Sequence, residues 1–335
     1  MSARASVLPV FVPHLGCPHA CVFCNQRRVS GQSRPVTAES VEKIIRGALE
    51  VPTHGAKRQL AFYGGSFTAI PEQTQLELLQ AAHGAILRGE IDSIRLSTRP
   101  DAVDASVLDR LRRYGVRTIE LGAQSMDEEV LRLSGRGHSA EDVRRASALI
   151  REQGFELILQ MMTGLPGDSP EKSIETAREL IRLRPDGVRI YPTVVVKDTE
   201  LYDMWQRGEY RAHTVEDAVS LCAKLLPLFE RAGIPVIRLG LNPTGELSGG
   251  AAAAGAYHPA LGELVRSRVM LERARDLLRA SSAGTEAVLS VPSRLYSQML
   301  GQHRGNLAIL QREFSLSSLR ILSSPDQTEP LLRLK

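Results

Sequence analysis

GCPHACVFCN, residues 16–25, places three of the chain's four cysteines in one loop, directly after a predicted strand at 7–12, VLPVFV. Small secreted proteins disperse their cysteines along the chain as disulfide-bonded pairs. Three cysteines within eight residues of a 335-residue chain do not follow that pattern. The C-x3-C-x2-C spacing therefore indicates a metal site at the carboxyl end of a strand.

Two kinds of metal site fit this loop. Three thiolates can ligate three irons of a [4Fe-4S] cluster, which leaves the fourth iron open for a substrate or cofactor. The alternative is zinc bound by the three cysteines and by His14 or His19, although structural zinc sites commonly use two separated ligand pairs. A redox or incidental cysteine cluster is a third interpretation. The spacing favours the iron–sulfur cluster.

Outward from this loop, apolar strand-like runs alternate with amphipathic helical patterns. The predicted strands are 7–12, 60–63, 93–98, 118–123, 155–162 and 187–192. The predicted helices are 40–50, 71–87, 105–114, 127–133, 140–152, 170–183 and 215–232. Repeated βα units with apolar strands indicate an α/β fold with a parallel sheet and right-handed crossovers. Six units form either an open doubly wound sheet or a partial (β/α)6 barrel, and a barrel places its chemistry at the carboxyl ends of the strands.

The pattern changes near residue 236. A Gly- and Ala-rich segment at 237–259 is predicted to be irregular. The elements predicted after it are a helix at 261–280, a strand at 287–291, a helical stretch at 295–314 and a strand at 318–322. We therefore expect a barrel core of residues 1–235 and a small α+β C-terminal extension of residues 236–335, for which substrate binding is one role.

Composition narrows the class of protein only in part. A net charge of +4, from 42 basic and 38 acidic residues, fits an anionic partner but also an ordinary mildly basic surface. No apolar stretch approaches the ~18–20 residues that a bilayer crossing needs, and the first residues lack a signal-peptide pattern. We therefore expect a cytoplasmic protein that does not contact membranes.

Further motifs follow successive predicted strands. YGGSFT at 63–68 carries paired glycines, which let a ligand approach the backbone closely, although a tight βα turn explains them as well. In ELGAQS (120–125), Gln124 and Ser125 can hydrogen-bond a ribose or an amino-acid group. Arg136 can meet a carboxylate in a fork geometry, or it is a solvated surface residue.

Four other residues have simpler interpretations. Gln160 is polar within an apolar strand, so it needs a partner if it is buried. Met161 and Met162 are expected to pack in the core. The remaining cysteine, Cys222, lies on an apolar helix face and is also expected in the core.

Taken together, these motifs resemble the radical S-adenosylmethionine (SAM) superfamily. Cys17, Cys21, Phe23 and Cys24 fit its C-x3-C-x-aromatic-C signature. Within the superfamily, YGGSFT, STRPD, ELGAQS, GRGH and GLPG are similar to the branch of oxygen-independent coproporphyrinogen III oxidase and the Elongator catalytic subunit. The segment GAYHPALGELVRSR (255–268) is similar to the Elongator side of that branch.

The resemblance implies a partial radical-SAM barrel of TIM type in which Cys17, Cys21 and Cys24 ligate a [4Fe-4S] cluster. It implies an enzyme that cleaves SAM reductively to a 5′-deoxyadenosyl radical, with a reductant such as ferredoxin or flavodoxin. The implied SAM contacts are Phe23 near the adenine, Gly64 and Gly65 with Ser66 at the methionine amino group, Gln124, Arg136 and Gln160 at the ribose or carboxylate, and Ile190 and Tyr191 bordering the adenine. Relatives commonly carry an acidic residue where this chain has Ser97, so a contact there is weakened or supplied differently.

The substrate is less well determined than the chemistry. The Elongator-like segment and the basic extension, with 11 basic and 7 acidic residues over 257–335, favour RNA, and tRNA in particular. The candidate phosphate contacts are Arg266, Arg268, Arg273, Arg275, Arg279, Arg294 and Arg304. Ordinary exposed helix faces explain these arginines equally well. A radical enzyme acting on a small molecule such as a tetrapyrrole or a carbohydrate, and a non-catalytic iron–sulfur or zinc protein, are the alternatives.

The resemblance to Elongator has a limit in chain length. The Elongator subunit has wider spacing between its first two cluster cysteines and a C-terminal acetyltransferase domain. In this sequence about 75 residues follow the GAYHP segment, fewer than a domain of typical size requires. The acetyl-CoA reaction is therefore not expected.

Overall fold

The structure is a computed structural model that describes residues 6–12, 17, 21–30, 35–53, 55–281, 286–325 and 330–334. The strands in these ranges are β1 Ser6–Phe11, β2 Arg58–Tyr63, β3 Ser93–Thr98, β4 Val116–Gln124, β5 Glu156–Thr163, β6 Gly187–Pro192, β7 Val194–Val196, β8 Val236–Leu239, β9 Ala252–Gly255, β10 Glu286–Pro292, β11 Ser318–Ser324 and β12 Leu331–Leu334. The helices are α1 Gln26–Ser30, α2 Ala38–Leu49, α3 Glu72–Leu87, α4 Ala105–Arg113, α5 Glu128–Leu133, α6 Ala140–Glu152, α7 Pro170–Arg182, α8 Glu200–Gln206, α9 Val215–Arg231, α10 Leu261–Arg279, α11 Tyr296–Leu300 and α12 Gly305–Glu313.

The main sheet has seven strands in the order β1-β2-β3-β4-β5-β6-β8, and every neighbouring pair is parallel. Helices connect successive strands, as repeated βα units require. The sheet curls into a partial barrel of the kind expected from the sequence, with β1 and β8 at its two edges. All six predicted core strands are confirmed, and β8 extends the sheet by one.

Local sequence explains where the core helices begin. Thr37, Ser139 and Thr214 each precede a helix, and each side chain accepts a hydrogen bond from the backbone N–H three residues later. In all three cases the side chain at that third position bonds back to the cap, which completes a capping box. Because these signals are local, the predicted starts of α2, α6 and α9 agree with the observed ones to within two residues.

The segment 237–259, expected to be irregular, is more ordered than its composition suggests. Strand β8 joins the main sheet beside β6, and β9 pairs antiparallel with β7 to form a two-stranded ribbon. A single helical turn of π type, Leu247–Ala251, lies between them. Both strands have only four residues, which is too short for hydrophobic periodicity to reveal, and pairing with a neighbouring strand decides their conformation.

Two hydrophobic cores share one helix. The main core lies between the sheet and the helices around it, and it includes Leu261 and Val265 from the first half of α10. Met270, Ala274 and Leu278 from the second half belong to a separate core with β10, β11 and α12. β8 and the start of α10 therefore pack with residues that precede 236, while the division of the chain at residues 235 and 236 remains a prediction.

The terminal unit is a small α+β layer. Strand β10 lies between β11, which is parallel to it, and β12, which is antiparallel. The helical stretch predicted at 295–314 is broken into α11 and α12, because His303 and Arg304 adopt left-handed backbone conformations between them. Asn306 is buried behind this break, and its amide donates to Ser267 in α10 and to the carbonyls of residues 298 and 299.

In the part of the chain that the structure describes, no helix combines the length and the apolar character that a bilayer crossing would need.

We expect Asn306→Ala to lower the free energy of unfolding of the terminal unit by about 1–3 kcal/mol, because the carbonyls of residues 298 and 299 would lose a buried donor. Urea unfolding measures the loss, and hydrogen exchange of residues 295–324 shows where it falls. Ser297→Ala is the matched control, since the Ser297 side chain is exposed on α11, the helix whose carbonyls Asn306 binds. Equal stability of the two variants would contradict this role of Asn306.

Candidate active site

The predicted functional motifs meet at one rim of the barrel. Cys17 lies shortly after β1, Gly64 and Gly65 follow β2, and Gln124 ends β4. Since all these strands are parallel, their carboxyl ends point to the same side of the sheet. Gly64 has a φ of +90°, a backbone conformation that favours glycine, so the turn after β2 requires it.

Each cysteine sulfur of the loop has a polar neighbour from another part of the chain or from the start of α1. The Ser66 hydroxyl lies 3.5 Å from Cys17 Sγ, and Gln26 Nε2 lies 3.4 Å from Cys24 Sγ. Arg136 Nη1 lies 3.2 Å from Cys21 Sγ. Hydrogen bonds and positive charge of this kind stabilise sulfur in its anionic, metal-binding form.

The surroundings of Cys24 act against a free thiolate. Burial raises the pKa of the Cys24 thiol to about 12, with a further increase from the neighbouring Cys21 and Cys17, while Gln26 and Arg136 act in the opposite direction. Metal ligation requires the deprotonated thiol, and a bound cation reverses this balance locally. Cys24 is therefore suited to be a protonated thiol or a metal ligand.

Among the described residues, no three His, Cys, Asp or Glu side chains form a group that could hold a single metal ion. His14 and His19, the additional ligands of the zinc alternative, lie outside the described residues. The described groups that bear on a metal cluster are therefore the polar side chains next to the three sulfurs.

Gly122 creates space for two polar side chains next to the cysteine loop. A Cβ at this position would lie 2.8 Å from Gln124 Nε2 and 3.3 Å from Arg136 Nη2. Arg136 Nη2 instead donates to the Gly122 carbonyl at 2.7 Å. The strand register shifts between residues 122 and 124, and Gln124 has a φ of +63°, so the backbone turns the Gln124 side chain out of the regular strand pattern.

The side chains of Gln124 and Arg136, both predicted site residues, therefore both lie beside Gly122. Gln124 Oε1 and Arg136 Nε are buried and have no hydrogen-bond partner within the described part of the chain. Buried polar atoms are nearly always paired, so these two atoms, on side chains that both lie beside Gly122, are candidates to contact a polar ligand.

Arg99 holds Arg136 in position, and His138 lies near its charge. Arg99 is 2% exposed, forms a two-pronged ion pair with Asp101, and donates to the backbone carbonyl of Arg136 at 2.5 Å. His138 Nε2 lies 3.2 Å from the Ala123 carbonyl. Burial, together with the positive charge of Arg136, lowers the pKa of His138 to about 4, so its ring is neutral near pH 7. Arg99 of the STRPD motif thus fixes the backbone of Arg136, and His138 of the GRGH motif contacts the end of β4.

Below the rim, one carboxylate organises the interior of the barrel. Glu120 on β4 is fully buried, and its two oxygens accept five hydrogen bonds. Arg189 binds both oxygens, at 2.7 and 2.9 Å, and Arg95 binds one at 2.8 Å. Tyr63 and Gln160 donate the remaining bonds, each at 2.9 Å. We call these five residues the lumen network.

The charges of the lumen network explain its protonation state. Burial opposes ionisation of Glu120, but Arg189 and Arg95 outweigh burial and lower the pKa of Glu120 below its ordinary value. Burial and the nearby Glu120 raise the pKa of Tyr63, so Tyr63 remains a protonated donor. Glu120 is therefore a charged acceptor whose lone pairs are all engaged, and it is not available as a general base.

The structure places the other predicted SAM contacts at different depths. Gln160 and Tyr191 lie on neighbouring lumen-facing strands, and Gln160 has the partner that its polarity required, in Glu120. The Ile190 side chain is fully buried in the main core, because alternation along β6 turns it toward the helices. Phe23 packs with Val22 against α8. Their roles toward a ligand remain predictions.

Two simpler expectations have clear outcomes. Cys222 and Met161 are completely buried in the main core, as predicted, whereas Met162 is only half-buried and lies outside that core. Five of the seven candidate phosphate contacts form ion pairs with carboxylates. These five are Arg266, Arg268, Arg273, Arg275 and Arg279. The interpretation as ordinary helix faces therefore fits them better than phosphate binding does.

Comparison with known families agrees with this geometry. The family model described as the Radical SAM superfamily matches residues 11–180, about half of the chain, and includes the cysteine loop and the rim. The chain belongs to the radical SAM superfamily. A second model, the radical SAM C-terminal domain, matches residues 185–270, which include β8 and the first half of α10. As a member of this superfamily the protein is an enzyme.

Curated relatives of this radical SAM chain share its first part. Elongator complex protein 3 of Saccharomyces cerevisiae is 30% identical over 192 residues, which is 51% of this chain and 34% of the relative. The tRNA uridine(34) acetyltransferase of Methanocaldococcus infernus is 36% identical over 187 residues, which is 55% of this chain and 35% of the relative. The aligned region is thus about a third of each relative.

Solved structures support the radical SAM fold. Elp3 of Methanocaldococcus infernus with an N-terminal deletion superposes with a TM-score of 0.62 at 24% identity, covering 82% of this chain and 64% of that one. Coproporphyrinogen III oxidase of Escherichia coli superposes with a TM-score of 0.50 at 20% identity, covering 69% and 53%.

Membership of the radical SAM superfamily implies a [4Fe-4S] cluster and SAM, and the residues present fit both groups. The three sulfurs of the loop each have a polar neighbour, as cluster ligands usually do. The unpaired Gln124 Oε1 and Arg136 Nε lie beside Cys21, where a polar cofactor bound next to the cluster would reach them.

Sequence reasoning missed the lumen network and the support of Arg136. Arg95, Arg189 and Glu120 each lie in an apolar strand run, where a charge is unusual unless it is paired. Three charges at lumen-facing positions of neighbouring strands were a signal of mutual pairing that the separate motifs did not reveal.

We expect Glu120→Ala to lower the free energy of unfolding by about 3–5 kcal/mol, because it leaves two buried guanidinium groups without a counter-charge. Urea unfolding at pH 7 measures this loss. Because the pKa of Glu120 is lowered in the folded state, its ionisation stabilises the protein above the unfolded-state pKa of about 4.3. That stabilisation is lost as the pH falls through the folded pKa.

The stability difference between the wild type and Glu120→Gln should therefore shrink as the pH falls from 7 toward 3. Glu175→Ala, which removes an exposed ion-paired glutamate on α7, is the control and should change little. A stability difference that is constant over this pH range would show that folding does not lower the pKa of Glu120.

Proposed function

We propose that this chain is a radical SAM enzyme in which Cys17, Cys21 and Cys24 hold a [4Fe-4S] cluster and which cleaves SAM reductively. The three cysteines lie at the carboxyl rim of the barrel, where Arg136 contacts Cys21 and where Gln124 and Arg136, each with an unpaired buried atom, both lie beside Gly122. This juxtaposition is the single observation that carries the proposal. A reducing compartment such as the cytoplasm, and a donor such as ferredoxin or flavodoxin, complete the proposed conditions.

When bound, the cluster would supply one electron to the sulfonium of SAM, so that the C5′–S bond breaks and a 5′-deoxyadenosyl radical forms. The chain's own residues bind and orient. Gly64 and Gly65, in the turn after β2, would receive the methionine end of SAM, and Gln124 and Arg136 would supply a carbonyl acceptor and a guanidinium donor. Phe23 closes the loop side with an apolar surface.

We expect Cys24→Ala to abolish SAM cleavage, because one iron of the cluster would lose its protein ligand. The protein is reconstituted anaerobically with iron and sulfide and reduced with dithionite, and 5′-deoxyadenosine is quantified by chromatography. Bound iron and sulfide are measured on the same samples. A loss of more than about 100-fold is expected with the wild type as reference.

Cys222→Ala is the matched control, because it removes the cysteine that lies in the main core. It should bind the wild-type amount of iron and form 5′-deoxyadenosine at a similar rate. A wild-type protein that takes up zinc but no iron and sulfide would overturn the proposed cluster. Iron–sulfur protein without 5′-deoxyadenosine formation would point to the non-catalytic alternative.

We propose RNA, and tRNA in particular, as the substrate. The support is the curated relatives, one of which is named a tRNA uridine(34) acetyltransferase, although this chain aligns with about a third of that protein. The paired arginines of α10 give no support, since their charges are already balanced. The proposal therefore rests on the relatives' names rather than on the terminal unit.

Total tRNA added to the reconstituted enzyme should increase 5′-deoxyadenosine formation and produce a nucleoside of altered mass, because a bound substrate consumes the radical productively. Liquid chromatography with mass spectrometry of digested tRNA detects that nucleoside. Binding of the same tRNA should weaken steeply between about 50 and 200 mM salt. SAM cleavage that is unaffected by tRNA, together with unaltered tRNA nucleosides, would favour a small-molecule substrate.

A further inference from the structure

A groove outside the cysteine loop and the lumen network runs along the segment between α8 and α9. It consists of two adjoining cavities of about 580 and 420 Å³ that share Arg211, Ala212 and His213. Trp205 lines the outer part of the first cavity, and Lys224 lines the second. We call this surface the Trp205–Lys224 groove.

The aromatic wall of the groove adjoins the cysteine loop. Trp205 and Tyr210 pack in one apolar cluster with Val22 and Phe23, which lie between Cys21 and Cys24. The backbone N–H of Leu201, at the start of α8, donates to the Val22 carbonyl at 2.7 Å. The groove therefore lies on the far side of a single apolar layer from the proposed cluster.

The polar wall carries two cationic groups and one carboxylate. Arg211 and Lys224 are exposed, and neither forms a hydrogen bond or a close ion pair with another residue in the described ranges. Asp217 also lines the groove and stays a carboxylate, because hydrogen bonds from Thr214 and the nearby charge of Arg211 lower its pKa. The arginines of α10, in contrast, are paired with carboxylates.

The floor of the groove is fixed to the barrel rim. The Tyr210 hydroxyl donates to the Gly164 carbonyl. A Cβ on Gly164 would lie 2.7 Å from His213 Nδ1, so the His213 ring packs directly against this glycine. The neighbouring Asp168 accepts the Gly164 N–H and the Ser173 hydroxyl, both at 2.7 Å. The groove is therefore preorganised by the loop that follows β5 rather than formed by a free segment.

We propose that the Trp205–Lys224 groove binds a single-stranded segment of the RNA substrate, with a base stacked on Trp205 and phosphates on Arg211 and Lys224. Single-stranded RNA is commonly held in this way, by aromatic faces for the bases and cationic side chains for the backbone. The proposal rests on RNA being the substrate. RNA would then bind at a surface beside the cysteine loop, from which a nucleotide of the same strand can enter the barrel.

Two features favour RNA over an acidic peptide. The groove combines the aromatic side chain of Trp205 with two cationic side chains, Arg211 and Lys224, which suits a base and the phosphates of a strand. An acidic peptide would bind through a cation beside each carboxylate, and those contacts would not involve the indole ring of Trp205. Trp205 is also tilted against Tyr202 at a centroid distance of 5.9 Å, so its ring is held in place.

Trp205 is the only tryptophan of the chain, so its fluorescence reports on this groove alone. In the reconstituted enzyme, a uridine octanucleotide should quench the Trp205 emission in a saturable manner, and polyglutamate at equal charge should not. Equal quenching by polyglutamate, or no quenching by an octanucleotide that binds, would overturn the proposal.

Substitution provides the second test. Arg211→Glu should weaken binding of the octanucleotide and of bulk tRNA by about tenfold, measured by fluorescence anisotropy of labelled RNA at fixed salt. Lys224→Glu should act in the same direction. Arg46→Glu is the matched control, since Arg46 is exposed on α2 near the opposite edge of the sheet, and its affinity should stay within about twofold of the wild type.

SAM cleavage without RNA separates the two proposals. Arg211→Glu should form 5′-deoxyadenosine at the wild-type rate in the absence of RNA, because Arg211 touches neither the cysteines nor the rim. If the wild type binds tRNA and Arg211→Glu and Lys224→Glu bind it equally well, the groove assignment is wrong and the RNA substrate stands. If the wild type binds no RNA, both fail, while the SAM chemistry remains a separate result.

Discussion

The carboxylate of Glu120 holds the interior of this barrel together. Its oxygens join Tyr63 of β2, Arg95 of β3, Gln160 of β5 and Arg189 of β6 to its own strand β4. A buried charge without partners is costly, so each of these side chains constrains the others. The curvature of five neighbouring strands is thereby tied to one set of hydrogen bonds, which a hydrophobic interior would not specify as narrowly.

The positions of the rim residues depend on this interior. Gly122 and Gln124 lie two and four residues beyond Glu120 on the same strand, where the register shift turns Gln124 toward Arg136. Arg136 in turn contacts Cys21 and is held by Arg99. The position of the cysteine loop thus depends on strands that are far from it in sequence, and its chemistry depends on packing that the loop itself does not encode.

The sequence predicted the six core strands, because apolar runs and capping residues are local signals. The ligand roles of the rim residues remain predictions. It did not predict β8 or β9, whose four residues are ordered only by pairing with β6 and β7. It also missed the pairing of Arg95 and Arg189 with Glu120, since no local pattern shows which strands become neighbours. The same limit made the arginines of α10 resemble a phosphate-binding face, although carboxylates from α9 and α12 neutralise several of them.

Helix α10 has a consequence for how the chain can be divided. Its first half is part of the barrel core, and its second half is part of the terminal core. The match to the C-terminal family model ends at residue 270. A cut there would divide the continuous helix α10 and remove the residues of the terminal core that Met270 and Leu271 pack against. The barrel core and the terminal core are therefore expected to unfold in one cooperative step. A recombinant fragment should end after the terminal sheet rather than at residue 270.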